Sequence, residues 1–246
     1  MTRKHLMELK EIITAWQGGL VVSCQAAADS ALARPDIIAA LALTAARNGA
    51  VGVRIDGAEN IVAVRGVGVN VPVIGIEKQL NEGSEVYITP TYDSAARVAG
   101  SGADVIALDA TGRARPGGEK LFDIVGRIKR ELRRPVMADV ATYEEGLRAA
   151  EEAGADFVGT TLSGYTAETA GRDAPDFPLV EQLAARLNVP VVCEGRLRSA
   201  GDVRRAFECG AFAVVIGGAI TGVDWLVRHY VAATKSRGQR SEVRGQ

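Results

Sequence analysis

A single closed (β/α)8 barrel, the TIM barrel of the α/β class, is the fold this sequence predicts, and three observations predict it. Short apolar runs are entered alternately by Gly-Ala and by proline along the whole chain. Helical stretches lie between those runs. The length of 246 residues, with 47% apolar and only 5% aromatic content, suits one core of the roughly 250 residues usual for such a barrel. Residues 1–233 read as that domain. Residues 234–246 lack apolar periodicity and read as a polar tail expected to be disordered.

In chain order, the stretch from Lys4 to Trp16 places Leu6, Leu9, Ile12, Ile13 and Trp16 at spacings of three and four, the signature of an amphipathic helix. Coming first, it is expected to plug the lower end of the barrel. Gly18 and Gly19 break it, and Leu20 to Cys24 reads as strand 1. The seven strands that follow are entered by Gly49-Ala50, Pro72, Gly102-Ala103, Pro135, Gly154-Ala155, Pro190 and Gly210-Ala211, in strict alternation. Glycine caps the preceding helix in the left-handed region, while proline both ends a helix and serves as the first residue of a strand.

Helices are expected between the strands, among them Asp36 to Arg47, Thr142 to Ala153, Phe177 to Leu187 and Ser199 to Glu208. Thr142 and Glu145 have the spacing of a capping box. The apolar runs are continuous rather than alternating, as in strands buried on both faces of a parallel sheet. A ninth run, Glu85 to Pro90, stands apart. Too few residues separate it from strand 3 for a parallel crossover of about a dozen, so it is expected as a short extra strand in the loop after strand 3, near the barrel mouth.

Composition narrows the function. With 29 basic and 30 acidic residues the formal net charge is -1, which leaves no electrostatic footprint for nucleic acid or an anionic membrane. Cys24, Cys193 and Cys209 show no C-x-x-C spacing, arguing for a reducing compartment. The N-terminal stretch lacks a signal-like apolar segment, and no run approaches the ~18 apolar residues of a membrane span. A cytoplasmic protein acting on a small molecule is expected. The only histidines, His5 and His229, lie in the first and last helical stretches, so a divalent site of histidine plus carboxylate at the strand ends cannot be built. Asp109 and Asp139 could hold magnesium but read better as hydrogen-bond orienters. No G-x-S-x-G, P-loop or Rossmann fingerprint is present, and no metal or cofactor is expected.

In this fold the functional groups project from the C-terminal ends of the strands. Those ends read Gln25, Arg54, Lys78, Asp109, Asp139, Thr160 with Thr161, Glu194, and Gly217 with Gly218. Lys78 points into a narrow mouth where partial desolvation favours its neutral form, a usable base; a salt bridge closing the barrel is the plainer role. Glu194 is either an acid or a partner for Arg54 or Arg196. Together Lys78 and Glu194 would place a base and an acid around one pocket, as moving a proton on a carbon beside a carbonyl requires. Gly195 and Gly217-Gly218 form two glycine turns on the last two strands, suited to cradling a phosphate. Tyr165 is either loop packing or part of a lid.

The residues Ser23 to Ala26, Val73 to Ile76 with Lys78, Ala107 to Thr111, Met137 to Asp139, Gly159 to Thr166, Glu194 to Arg196 and Gly217 to Thr221 give the chain a likeness. It resembles the N-acetylmannosamine-6-phosphate 2-epimerase family over residues 18 to about 232, most specifically through Gly-Thr-Thr-Leu-Ser-Gly-Tyr-Thr at 159–166. The resemblance implies a metal-independent barrel that interconverts N-acetylmannosamine 6-phosphate and N-acetylglucosamine 6-phosphate in amino-sugar and sialic acid catabolism. It implies Lys78 and Glu194 as the catalytic pair and Gln25, Arg54 and Asp139 as holders of the sugar, with Thr160 and Tyr165 counted beside them. Gly195, Gly217 and Gly218 would carry the phosphate. Members often have arginine directly after Ala-Ile-Thr, where this chain has Gly222; Arg196 is the candidate to supply that cation. A homodimer is the oligomeric form considered. The competing readings are a Schiff-base lyase or aldolase using Lys78 and a phosphosugar-binding barrel without catalysis.

Overall fold

The structure, a computed structural model, describes residues 7–235. Eight parallel strands close into a barrel in chain order. They are β1 (Leu20–Cys24), β2 (Gly52–Asp56), β3 (Val73–Ile76), β4 (Val105–Asp109), β5 (Val136–Asp139), β6 (Phe157–Gly159), β7 (Val191–Glu194) and β8 (Ala213–Ile216). The ring is completed by β8 pairing with β1, with Val21 opposite Val215 and Val22 opposite Ile216. Helices α2 (Pro35–Arg47), α3 (Ala58–Gly66), α4 (Tyr92–Gly100), α5 (Leu121–Arg127), α6 (Tyr143–Leu147), α7 (Phe177–Arg186) and α8 (Ala200–Glu208) alternate with the strands, and α9 (Val223–Lys235) follows the last. Both α5 and α6 run on into a π-helical turn, Ile128–Leu132 and Arg148–Glu152. The Thr142 box forms as its spacing requires, the hydroxyl accepting from the Glu145 N–H.

Successive side chains on a strand point to opposite faces, and here that rule divides two apolar cores. Ile106, Leu108, Val214 and Cys193 face the helices in an outer core. Val105, Ala107, Val215 and Val192 fill the barrel interior. Counting in twos from the interior residues predicts what reaches the mouth: Arg54 and Asp56 alternating with the outward Val53 and Ile55, Lys78 after Ile74 and Ile76, Asp139 after Met137, Thr161 after Phe157 and Gly159, and Glu194 after Val192. The active end of the barrel is thus written in the same pleat as its core.

The lower end is closed by α1 (Leu9–Trp16), whose Ile12 and Trp16 are fully buried among the interior side chains. The Trp16 ring lies 4.9 Å from that of Phe157. A side chain on Gly52 would begin 2.8 Å from Trp16 Nε1, so the plug needs glycine at that position. The helix begins one turn later than the sequence suggests, at a Glu8–Glu11 capping box; residues 4–6 of the expected helix, with His5, lie outside the described residues.

Two expectations are adjusted. The run Glu85 to Pro90 is not a strand: it makes one isolated antiparallel bridge, Ile88 with Lys78, and a second, Asn81 with Ser84, closes the turn before it. Thr89, at φ 43°, leaves extended geometry, and its hydroxyl donates to the Ala107 carbonyl at 2.7 Å, which bends the hairpin onto β4 instead of extending it. At the other end α9 continues through Lys235, past the expected boundary at 233; the tail from 236 to 246 lies outside the described residues. Among the described residues no helix is long and apolar enough to cross a membrane.

Candidate active site

The C-terminal ends of the strands surround a cavity of about 380 Å³ whose lining includes Gln25, Lys78, Thr161, Glu194, Gly217 and Gly218. Beneath it lies an ion-pair cluster. Arg54 is 1% exposed and holds Asp139 with two hydrogen bonds, Nη1 to Oδ1 at 3.2 Å and Nη2 to Oδ2 at 2.5 Å. The same Nη1 lies 3.2 Å from Glu194 Oε2. Burial alone would weaken the Arg54 charge, but the Asp139 carboxylate, with Glu194 when ionised and Asp56, holds the guanidinium firmly protonated.

Glu194 ends β7 with its carboxyl over this cluster. Desolvation pushes its pKa up to about 7, the attraction of Arg54 opposes the rise, and the like charge of Asp139 adds to it. Lys78 moves the other way: desolvation holds its pKa below the usual lysine value, against the pull of the Asp56 carboxylate and with the repulsion of Arg54. Its ammonium donates to Gln25 Oε1 at 2.5 Å, and Gln25 is aimed in turn by donating its Nε2–H to Ser23 Oγ at 2.7 Å. The Lys78 backbone N–H donates to Asp56 Oδ1 at 2.9 Å, which fixes the loop carrying it. Lys78 retains 43% exposure of its side chain, so the amine is desolvated by the mouth yet open to a ligand.

At the opposite wall, the turn after β8 folds on itself, with Thr221 N–H donating to the Gly217 carbonyl at 2.9 Å and Gly222 N–H to that of Gly218 at 3.2 Å. A side chain on Gly222 would begin 2.8 Å from Gly218 Cα and carbonyl oxygen; the glycine that departs from the resembled pattern is what allows this tight turn. Gly195, at φ 110°, makes the second turn in a conformation open only to glycine. Arg196 lines the cavity, but its guanidinium donates to the carbonyls of Ser163 at 2.6 Å and Gly164 at 3.0 Å and lies 4.2 Å over the Tyr165 ring. It is therefore committed to the loop after β6, and it holds Tyr165, 55% exposed, at the rim.

Two expected sugar contacts lie elsewhere. Asp139 is completely buried below the cavity, its oxygens occupied by Arg54 and Thr161. Thr160 is 1% exposed; its hydroxyl donates to the Glu194 carbonyl at 3.0 Å and accepts from the Glu194 N–H at 3.1 Å, pinning the end of β7. The pleat turns Thr161, not Thr160, into the cavity. Asp109 stands aside, accepting from the Thr111 N–H and hydroxyl and from Arg113, as an orienter of its own loop. Asp56, Tyr87, Arg198 and Trp225 also belong to the site or its supports and are not among the sequence candidates; Arg198 lies 5.1 Å over the Trp225 ring at the cavity edge. For Asp56 the signal is present, two residues beyond Arg54 on the same face of β2.

A base and an acid with pKa values displaced toward each other, facing one small cavity, suit proton transfer at carbon. Comparison with known proteins agrees with that chemistry. Residues 38–236 match the sequence model of the NanE family, described as "Putative N-acetylmannosamine-6-phosphate epimerase". A protein of Synechococcus elongatus named as a putative N-acetylmannosamine-6-phosphate 2-epimerase is 49% identical over 94% of this chain and 100% of its own length. A counterpart of the same name from Thermosynechococcus vestitus is 51% identical over 92% of this chain and 97% of its own length. Among solved structures, the N-acetylmannosamine-6-phosphate 2-epimerase from Clostridium perfringens superposes with a TM-score of 0.87 at 36% identity, covering 95% of this chain and 99% of that one. A mandelate oxidase, at 19% identity and a TM-score of 0.59, shares the barrel alone. With most of its length matched by the family and relatives near half identical end to end, the chain belongs to the N-acetylmannosamine-6-phosphate epimerase (NanE) family.

Proposed function

We propose that the chain inverts C2 of N-acetylmannosamine 6-phosphate to give N-acetylglucosamine 6-phosphate, in the catabolism of amino sugars and sialic acid. The observation that carries this reading is the pairing of Lys78, its amine desolvated and aimed by Gln25, with Glu194, its carboxyl raised to about 7, on one cavity. In the ring-opened sugar the C1 aldehyde acidifies the C2 proton. Neutral Lys78 takes that proton, and the electron pair of the C–H bond passes into an enolate. Return of a proton to the opposite face of C2 inverts the centre, and Glu194 in its acid form is the group placed to give one or to assist ring opening. The glycine turns at Gly195 and Gly217-Gly218 are where the phosphate would rest. Membership of the family and the agreement in fold with the C. perfringens epimerase support this assignment.

Incubation of the purified protein with N-acetylmannosamine 6-phosphate in deuterated water, followed by proton NMR, tests it. Appearance of the 2-epimer with deuterium at C2 is expected. An adduct on Lys78 trapped by borohydride, without C2 exchange, would instead make the protein a Schiff-base enzyme, and binding with neither outcome would make it a sugar-phosphate receptor. A cytoplasmic location and a homodimer belong to the same proposal. The second is supported by α9, which leaves Val223, Val227, Tyr230 and Val231 between 44 and 67% exposed.

A further inference from the structure

The Thr161 hydroxyl stands between two carboxyl groups, 2.7 Å from Asp139 Oδ1 and 2.9 Å from Glu194 Oε2. A hydroxyl has one proton to donate and lone pairs to accept with. If both carboxyl groups were ionised, one of these two contacts would set oxygen against oxygen with no proton between them. Arg54 breaks the symmetry: it grips Asp139 through both oxygens, at 3.2 and 2.5 Å, and reaches Glu194 through one nitrogen only. Asp139 is therefore the member held as the anion. A complete chain of bonds then runs in one direction, from a protonated Glu194 to Thr161 Oγ1 and from the Thr161 hydroxyl to Asp139. From these distances we infer that Thr161 is a positioning residue for the reaction, accepting from the Glu194 carboxyl and so keeping Glu194 in the acid form at rest; the carboxyl delivers its proton by turning that O–H from Thr161 into the cavity.

The charged and titratable groups that face this carboxyl come from several elements. From β2 comes Arg54, with Asp56 beyond it at the strand end; from the loop after β3, Lys78; from β5, Asp139; from the hairpin after β3, Tyr87 at the cavity wall. On the β8 side Val215, Ile216 and Gly217 bring no charge. Around Glu194 stand Arg54 and, when it is protonated, Lys78, with the carboxylates of Asp56 and Asp139, and Arg196 and Arg198 line the same cavity from the loop after β7. Burial of Glu194 then favours its neutral form, provided that form has an acceptor. Thr161 is the acceptor. The use of the proton in epimerisation rests on the function proposed above; the arrangement of the bonds does not.

The test is the titration of Glu194 itself, followed by carboxyl infrared difference spectroscopy or carboxyl 13C NMR on the full-length chain, with the signal assigned by its loss in Glu194→Gln. In Thr161→Val, which keeps the side-chain shape, the acid form loses its acceptor while the ionised form loses nothing that Thr161 gave it. The midpoint is expected to fall by about one pH unit, the size expected for loss of one buried hydrogen bond, and Thr161→Ser is expected to restore it. An upward shift would overturn the proposal, because it would mean that Thr161 donates to the Glu194 carboxylate. An unchanged midpoint would overturn it as well, leaving Thr161 a packing residue. The pH dependence of kcat/KM should show the same displacement if Glu194 works as an acid; a shifted titration with an unshifted rate profile would retain the bond arrangement and reject the catalytic use.

Discussion

Arg54 and Asp139 form an ion pair at the floor of the cavity, 1% and 0% exposed and joined by two hydrogen bonds, with Arg54 part of the lining. The pair acts as the floor on which Glu194 and Thr161 stand. Removing one member of such a pair leaves a desolvated charge with no full counterpart, whereas replacing both by apolar groups does not. Asp139→Ala is therefore expected to destabilise the fold by about 3–5 kcal/mol, measured by urea unfolding. A loss below about 1 kcal/mol would show that water or Glu194 takes over the counter-charge.

Lys78→Ala and Glu194→Gln should each reduce C2 hydrogen exchange by about 10² to 10⁴, the range for positioned acid and base groups. Gln25→Leu should act more mildly and through Lys78, because it removes the side-chain oxygen that the amine meets at 2.5 Å. Wild-type exchange in Lys78→Ala would remove the base from the mechanism.

Stability should depend on pH through Glu194. Its folded pKa is raised from 4.5 to about 7, so between those values the folded chain holds a proton that the unfolded chain has released. The associated stabilisation is complete below about pH 4.5 and disappears as pH rises through about 7. Thermal unfolding across this interval should therefore show a falling Tm component in the natural chain. Glu194→Gln, which fixes the neutral form, should flatten it.

Gly222→Ala is expected to raise KM for the phosphorylated sugar about tenfold, equivalent to ~1.4 kcal/mol, with kcat changing less. The added carbon would start 2.8 Å from the Gly218 backbone, and only a shift of the Gly217–Gly218 turn can accommodate it. Steady-state kinetics with N-acetylmannosamine 6-phosphate provide the check, and an unchanged KM would place the phosphate elsewhere.

The barrel was legible because its punctuation is chemical: Gly49, Gly102, Gly154 and Gly210 all adopt positive φ, and Pro72, Pro135 and Pro190 each stand at the entry of a strand. The site was read less completely, for reasons of register. Taking the polar residue that follows an apolar run as the strand end singled out Glu194 directly and Lys78 one position past Glu77. It stopped short on β2, which continues from Arg54 to Asp56, and of Thr160 and Thr161, both read at the end of strand 6, it carried Thr160 forward as the sugar contact where the pleat brings Thr161 inward. Both errors come from ignoring that side chains alternate, a rule the sequence could have supplied once the interior residues were placed. The fate of Arg196 was not readable, because its partners are carbonyls of another loop and carbonyl positions leave no mark on residue identity.

The turn that would hold the phosphate is also fastened across the seam of the barrel, since Thr221 Oγ1 donates to the Ser23 carbonyl at 2.7 Å. Ser23 and Thr221 are separated by 198 residues. During synthesis from the N-terminus, β1 must wait for nearly the whole chain to emerge before this clasp can form. A phosphate site that depends on this clasp is complete only when the two ends of the sheet have met, so sugar phosphate bound there favours the closed barrel over any form in which β1 and β8 are apart.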